Sequence, residues 1–217
     1  MNGGFVQRIR NLVGRDDEQG AGLRGIRLIV GLGNPGREYA ETRRNIGFWT
    51  MNRLARRHGM EFSSAGKASL AEGGIASNPV ALAKPRVFVN ESGPVVWNLI
   101  KRLNIDDASE LLVVRDDIDL PHGKLRIRPS GGSGGHKGIN SIIDAVGTDQ
   151  FGRLRIGIGR PVVDGEPSWE PDDVADYVLG DPDPEEREQL DEAVELAMDA
   201  IEMAIEHGLE EAMARYN

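Results

Sequence analysis

The chain of 217 residues contains no cysteine. That excludes disulfides, thiolate-bound metals and cysteine nucleophiles. Aromatic residues are scarce, at 5%, while glycine is abundant, at 28 residues. Tight turns and sites built from backbone are therefore expected, rather than a broad aromatic surface. No apolar run approaches the ~20 residues of a membrane span. The first residues lack an apolar stretch ending in a small-residue cleavage site, so no secretory signal is read there. A cytoplasmic protein is expected, with no membrane partner, and the length suits one domain with a real core.

The net charge is −9, which taken alone argues against a nucleic-acid partner. Its distribution reverses that reading. Residues 164–217 carry 19 acids and two bases, Arg187 and Arg215, whereas residues 1–163 carry 24 bases and 16 acids. An anionic ligand responds to the local field rather than to the sum. A basic body with an acidic C-terminal appendage is expected.

Residues 1–25 read as an N-terminal extension, flexible, followed by one domain over 26–217. Phe5, Ile9, Leu12 and Val13 share a helical face there, among Arg8, Arg10 and Arg15. IRLIVGLG (26–33) reads as a buried strand. A helix through Ile46, Trp49, Leu54 and Ala55 is stopped by Gly59. Residues 69–76 and 79–84 read as strands joined at Ser77-Asn78. Further on, a helix is expected at 92–103, a buried strand at 110–115 and a half-exposed strand at 124–129. A flexible GGSGG loop follows, then a helix at 138–146, a strand at 153–159 and a loop at 161–172. The last helix, 184–207, carries Leu190, Val194, Ala197, Ile201 and Ile205 at spacings of three and four. The alternation predicts a single α/β domain: a mixed, mostly parallel twisted sheet sandwiched by helices.

Gly31-Leu32-Gly33-Asn34-Pro35-Gly36 matches G-x-G-x-x-G directly after a strand. Two features argue against a dinucleotide site. Pro35 removes a backbone donor from the cradle. The region about 20 residues on is helical and basic, where a strand ending in an acid is needed. The same turn leaves Asn34 at the carboxyl end of a strand, where open α/β sheets keep their sites.

Other polar residues follow other strands: Asn90 in FVNESG, Asp116 in RDDIDLPHG, and His136 with Lys137 in GGSGGHKG. Singly, these are turn formers, caps or surface residues. Together, two amides, a carboxylate, an imidazole and a cation at one sheet edge can bind an ester and activate water. Lys124, Arg126 and Arg128 alternate in KLRIRP, so they fall on one strand face suited to phosphates.

Four segments resemble the bacterial peptidyl-tRNA hydrolase family: LIVGLGNPGREYAETRRNIGFW (28–49), KPRVFVNESG (84–93), LLVVRDDIDLPHGKLRIRPSGGSGGHKGINSI (111–142) and FGRLRIGIGRP (151–161). The resemblance spans about 25 to 215 and includes the acidic closing helix. It implies metal-free, cofactor-free cleavage of the ester between a peptide and the terminal adenosine of tRNA, by a monomer. It also implies that Asn34 positions water and substrate and that Asn90 bonds the peptide side. Tyr39 and Phe88 would contact the tRNA end or the peptide. Asp116 would orient the general base, and Arg126, Arg128 and Arg155 would face phosphates.

Two positions depart from the family pattern. Thr42-Arg43-Arg44-Asn45 stands where the family reads T-R-His-N, and that histidine is its general base. Lys137 stands where the family has Asn after the loop histidine. A guanidinium stays protonated at any working pH, so Arg44 cannot be a base. Beside Asp116 it would hold that carboxylate ionised. Three readings follow. The first is a hydrolase with a rewired site, His136 or Asp116 serving as base. The second is an inactive relative that still binds tRNA or another RNA. The third is the dinucleotide enzyme, which Pro35 and the missing acid oppose.

Overall fold

The computed structural model describes residues 25–217; the N-terminal extension and its arginines lie outside the described residues. A seven-stranded sheet forms the middle layer, in the order β2-β3-β4-β1-β5-β7-β6. Its strands are β1 (Leu28–Gly31), β2 (Ser63–Ala65), β3 (Ala68–Ile75), β4 (Asn78–Pro85), β5 (Leu111–Asp117), β6 (Leu125–Arg128) and β7 (Gly152–Gly157). The centre, β4-β1-β5-β7, is parallel; β2, β3 and β6 add antiparallel edges. The expected mixed sheet between helices is therefore present. The helices are α1 (Ile46–Arg57), α2 (Ser92–Arg102), α3 (Lys137–Val146), α4 (Pro171–Leu179), α5 (Pro184–His207) and α6 (Leu209–Tyr216).

Strand alternation sends side chains to two separate cores. Ile29, Leu112, Val114, Leu154 and Ile156 pack under α1 and α5; Leu28, Val30, Leu111, Val113 and Phe151 pack under α2 and α3. The five apolar positions read on the last helix are all buried against the first of these cores. Each full burial of such a side chain contributes roughly 1.5–3 kcal/mol.

Several elements differ from the sequence reading. The hairpin turn lies one residue earlier than expected: Asn78 pairs with Ile75, and Ala76 and Ser77 take φ of 48° and 65°. Two successive positive φ values are what a two-residue hairpin turn of matching twist requires. Lys124 stands before β6 rather than in it. The stretch 161–172 forms a small hairpin, β8 (Val162–Val163) with β9 (Glu166–Pro167), and leads into α4. The helix α6 closes the chain after Gly208.

The glycine motif serves helix packing. A side chain on Gly31 would meet the Gly47 carbonyl at 2.3 Å, and one on Gly47 would meet the Leu32 carbonyl at 2.5 Å. Glycine on both sides lets α1 lie directly on β1. The motif then runs into a single 3-10 turn, Arg37–Tyr39, and no helix N-terminus faces a pyrophosphate there.

Candidate active site

Parallel strands end on one edge, and the loops after β1, β4 and β5 meet there. Asn34, after β1, is 6% exposed. Asn45 clamps its backbone: Asn34 N donates to Asn45 Oδ1 at 2.7 Å, and Asn45 Nδ2 donates to the Asn34 carbonyl at 3.0 Å. The Asn34 Oδ1 accepts from Val89 N at 2.9 Å, which ties the first loop to the turn after β4. The amide is thereby held through its oxygen, which leaves Nδ2 as its donor. In the sequence Asn45 stood only as the neighbour of Arg44, with no role of its own.

The turn after β4 brings Phe88 edge-on to Tyr39, with ring centroids 6.1 Å apart. Phe88 is 51% exposed, an unusual state for a phenyl ring beside a polar centre. Asn90 and Lys137 line one cleft of about 480 Å³ together with Pro94, Asn140, Ser141 and Asp144.

Asp116 sits at the end of β5 and is nearly fully buried. Arg44 Nη1 donates to it, 2.9 Å from Oδ1 and 2.7 Å from Oδ2. His136 Nε2 lies 3.1 Å from Asp116 Oδ1 and 3.0 Å from Arg44 Nη1. His136 Nδ1 accepts from the backbone N–H of Gly138 and Ile139, capping α3. An accepting Nδ1 fixes the proton of the neutral ring on Nε2, which donates to Asp116. Burial pulls the His136 pKa down, against the pull of Asp116. Burial raises the Asp116 pKa, but Arg44 and His136 outweigh it and hold the carboxylate well below its usual range. Both residues read as fallback bases are thus engaged: His136 has no free ring nitrogen, and Asp116 is a very weak base.

The arginines form a second feature. Arg155 of β7 stands opposite Arg115 of β5 and Arg126 of β6; Arg153 stands opposite Arg128. Directly opposed residues share a face, so five arginines crowd one face of three strands. Asp117 binds Arg115 at 2.9 Å and also Arg155. Arg115 Nε and Arg153 Nε and Nη1 are buried with no hydrogen-bond partner. Burial lowers both guanidinium pKa values. The loop 129–135 crosses this face, and a side chain on Gly131 would come within 3.4 Å of Arg153 Nη1. Arg115 and Arg153 were missed in sequence, although RLRIG repeats the alternation of KLRIR. Lys124 is apart from this face, in a cleft of about 450 Å³ with Leu196, Asp199, Arg215 and Tyr216.

The family model for peptidyl-tRNA hydrolase matches residues 28–217. The chain belongs to the peptidyl-tRNA hydrolase family. A peptidyl-tRNA hydrolase of Roseiflexus sp. (strain RS-1) is 50% identical over 191 residues, 88% of this chain and 85% of that one. One from Chloroflexus aggregans is 49% identical over 88% of this chain and 98% of its own length. The crystal structure of the peptidyl-tRNA hydrolase from Acinetobacter baumannii superposes with a TM-score of 0.81 at 34% identity, covering 88% of this chain and 94% of that one. The dinucleotide reading is set aside by these matches. Among the described residues, no helix is long and apolar enough to cross a membrane, and no cluster of potential metal ligands occurs.

Proposed function

We propose that this chain binds the acceptor end of peptidyl-tRNA and cleaves the ester joining peptide to ribose, as a cytoplasmic monomer that uses neither metal nor cofactor. The observation that carries the reading is the meeting of Asn34, Asp116 and His136 at one sheet edge, beside a face of five arginines. Asn34 Nδ2 orients the attacked carbonyl or the water. Asn90 and Lys137 hold the peptide side of the ester in their shared cleft. Tyr39 and Phe88 offer ring surface to the terminal adenosine, since a base stacks on any exposed aromatic. Arg126, Arg128 and Arg155 take backbone phosphates, with Lys124 further along the acceptor stem.

Asp116 and His136 act through Arg44. They fix its guanidinium at the place where the family pattern has histidine. A positioned general base typically contributes ~10²–10⁴-fold, so the turnover expected here is slow. The test is an ester-cleavage assay on peptidyl-tRNA with the parent and Arg44→His. Cleavage above the buffer rate, raised by Arg44→His, supports the reading. A folded parent that neither binds nor cleaves peptidyl-tRNA sinks it.

A further inference from the structure

The centre of the site holds cations and no proton acceptor. His136 donates from Nε2 and accepts at Nδ1, so neither ring nitrogen is left for a water. Asp116 spends Oδ1 on Arg44 and His136, and Oδ2 on Arg44. The other charged groups that act on Asp116 or stand next to Arg44 are cationic or already engaged. Arg115 of β5 adds positive charge at Asp116. Asp117 is held by Arg115 and Arg155. On the side of α4 and α5, Tyr177 and Glu186 are taken by Arg43, not Arg44. All the contacts of Arg44 with Asp116 and His136 run through Nη1, and its side chain is 17% exposed. None of these contacts engages Nη2 or Nε, so the guanidinium keeps further donors to offer.

We infer that Arg44 is the electrostatic residue of a hydroxide-driven hydrolysis: its guanidinium holds a hydroxide drawn from solvent and the tetrahedral oxyanion that follows, in place of a side-chain base acting on water. The inference rests on the proposed ester cleavage and specifies how that site performs it. Hydroxide oxygen bonds to the ester carbonyl carbon. The adduct collapses and breaks the bond from that carbon to the ribose oxygen. The ribose oxygen takes a proton from solvent water, which returns a hydroxide, and the released acid loses its proton to that hydroxide. Preorganised donors aimed at a developing oxyanion typically contribute ~10²–10³-fold, without any proton transfer to the protein.

The experiment measures initial rates on an N-blocked aminoacyl-tRNA from pH 6 to pH 9, with the buffer rate subtracted at each pH. The parent, Arg44→His and Arg44→Gln are compared, and tRNA affinity and thermal midpoint are recorded for each. The expected parent rate climbs about tenfold per pH unit with no plateau, because only the hydroxide concentration changes. Arg44→His should level off above a midpoint near ~6.5, where an imidazole becomes available as base. Arg44→Gln should lower the rate at every pH and keep the slope. Should either variant fail to fold, the parent profile alone decides. A parent plateau anywhere between pH 6 and pH 9 overturns the inference, since a side chain would then be titrating. A parent rate equal to buffer while tRNA still binds overturns it too. Loss of binding and cleavage together in a folded parent removes the functional reading itself.

Discussion

Along α1, Arg53 and Arg57 face α5 and meet Asp191, Glu195, Asp199 and Glu202 at 2.5–3.4 Å. Across β5, β7 and β6, five arginines share a face with Asp117 as their direct carboxylate partner there. In the first set two guanidiniums meet four carboxylates, so every positive charge is answered, and the acidic helix docks through it. The second is left in excess, with three buried guanidinium nitrogens unpartnered. The overall charge of −9 hides this division, because 19 of the 35 acids fall in residues 164–217, whose helices pack on the α1 side of the sheet. A buried polar nitrogen without a partner is costly even where the rest of its guanidinium is engaged. A face with five guanidiniums and one shared carboxylate is suited to an external anion, whereas the α1–α5 seam already has carboxylates in excess. The same residue type thus does structural work on one side of the sheet and offers binding capacity on the other.

The largest expected effect concerns a deeply buried pair on the helical side. Arg43 and Glu186 meet at 2.5 Å with both side chains about nine-tenths buried, and Arg43 also stacks on Tyr177. Removing one partner leaves the other charge stranded, so Glu186→Gln should cost about 3–5 kcal/mol by urea denaturation. A cost under about 1 kcal/mol would place this pair with the exposed ones.

The next test sets the two surfaces directly against each other. Arg126→Glu with Arg128→Glu should weaken tRNA binding about 100-fold at low salt and reduce the log–log salt slope by about two. Arg57→Glu, on the matched seam, should leave binding within about threefold. Equal losses from both variants would show that net charge, and not this face, governs affinity.

A smaller effect is expected from pH. The folded-state pKa values of Asp116 and His136 are both depressed. Each therefore contributes stability that is present above its unfolded pKa and lost as pH falls towards its folded value. His136 should begin to destabilise the fold below ~6.5, where the unfolded imidazole takes a proton, and Asp116 below ~4. Denaturation free energies at pH 7.5, 5.5 and 3.5 should fall in that order. His136→Asn, which keeps an α3 cap, should flatten the first part of the decline. An unchanged slope would move the acid sensitivity to other groups.

The smallest effect is expected at Arg57, whose partners are largely exposed and screened. Arg57→Ala should cost at most about 1 kcal/mol, and the difference should shrink in 1 M salt. A larger, salt-insensitive cost would mean the seam is a dry interface.

Much of the frame was legible because its periods are strong. Leu190 through Ile205 repeat at three and four, and the observed α5 has the expected limits, Pro184–His207. Arg44 beside Asp116 was legible from the family pattern, which has the general base at that position and Asp116 as its orienting carboxylate. The early hairpin turn was not, because Ala76 and Ser77 carry no glycine signal for positive φ. The helix α4 was hidden by the Pro- and Asp-rich run before it, which reads as loop although Pro171 starts the helix.

By itself the amino-acid order determined the alternation of strands and helices, the separation of charge along the chain and the loss of an imidazole at position 44. These are local properties, set by spacing and residue type. The tertiary structure decided what each charge meets. It placed the acidic helix against Arg53 and Arg57, which left the strand arginines unmatched. It also turned both nitrogens of His136 to other work, Nδ1 to the amides of α3 and Nε2 to Asp116. No spacing in the sequence encodes that, because the availability of a proton acceptor depends on which groups, distant in the chain, fill its two sides.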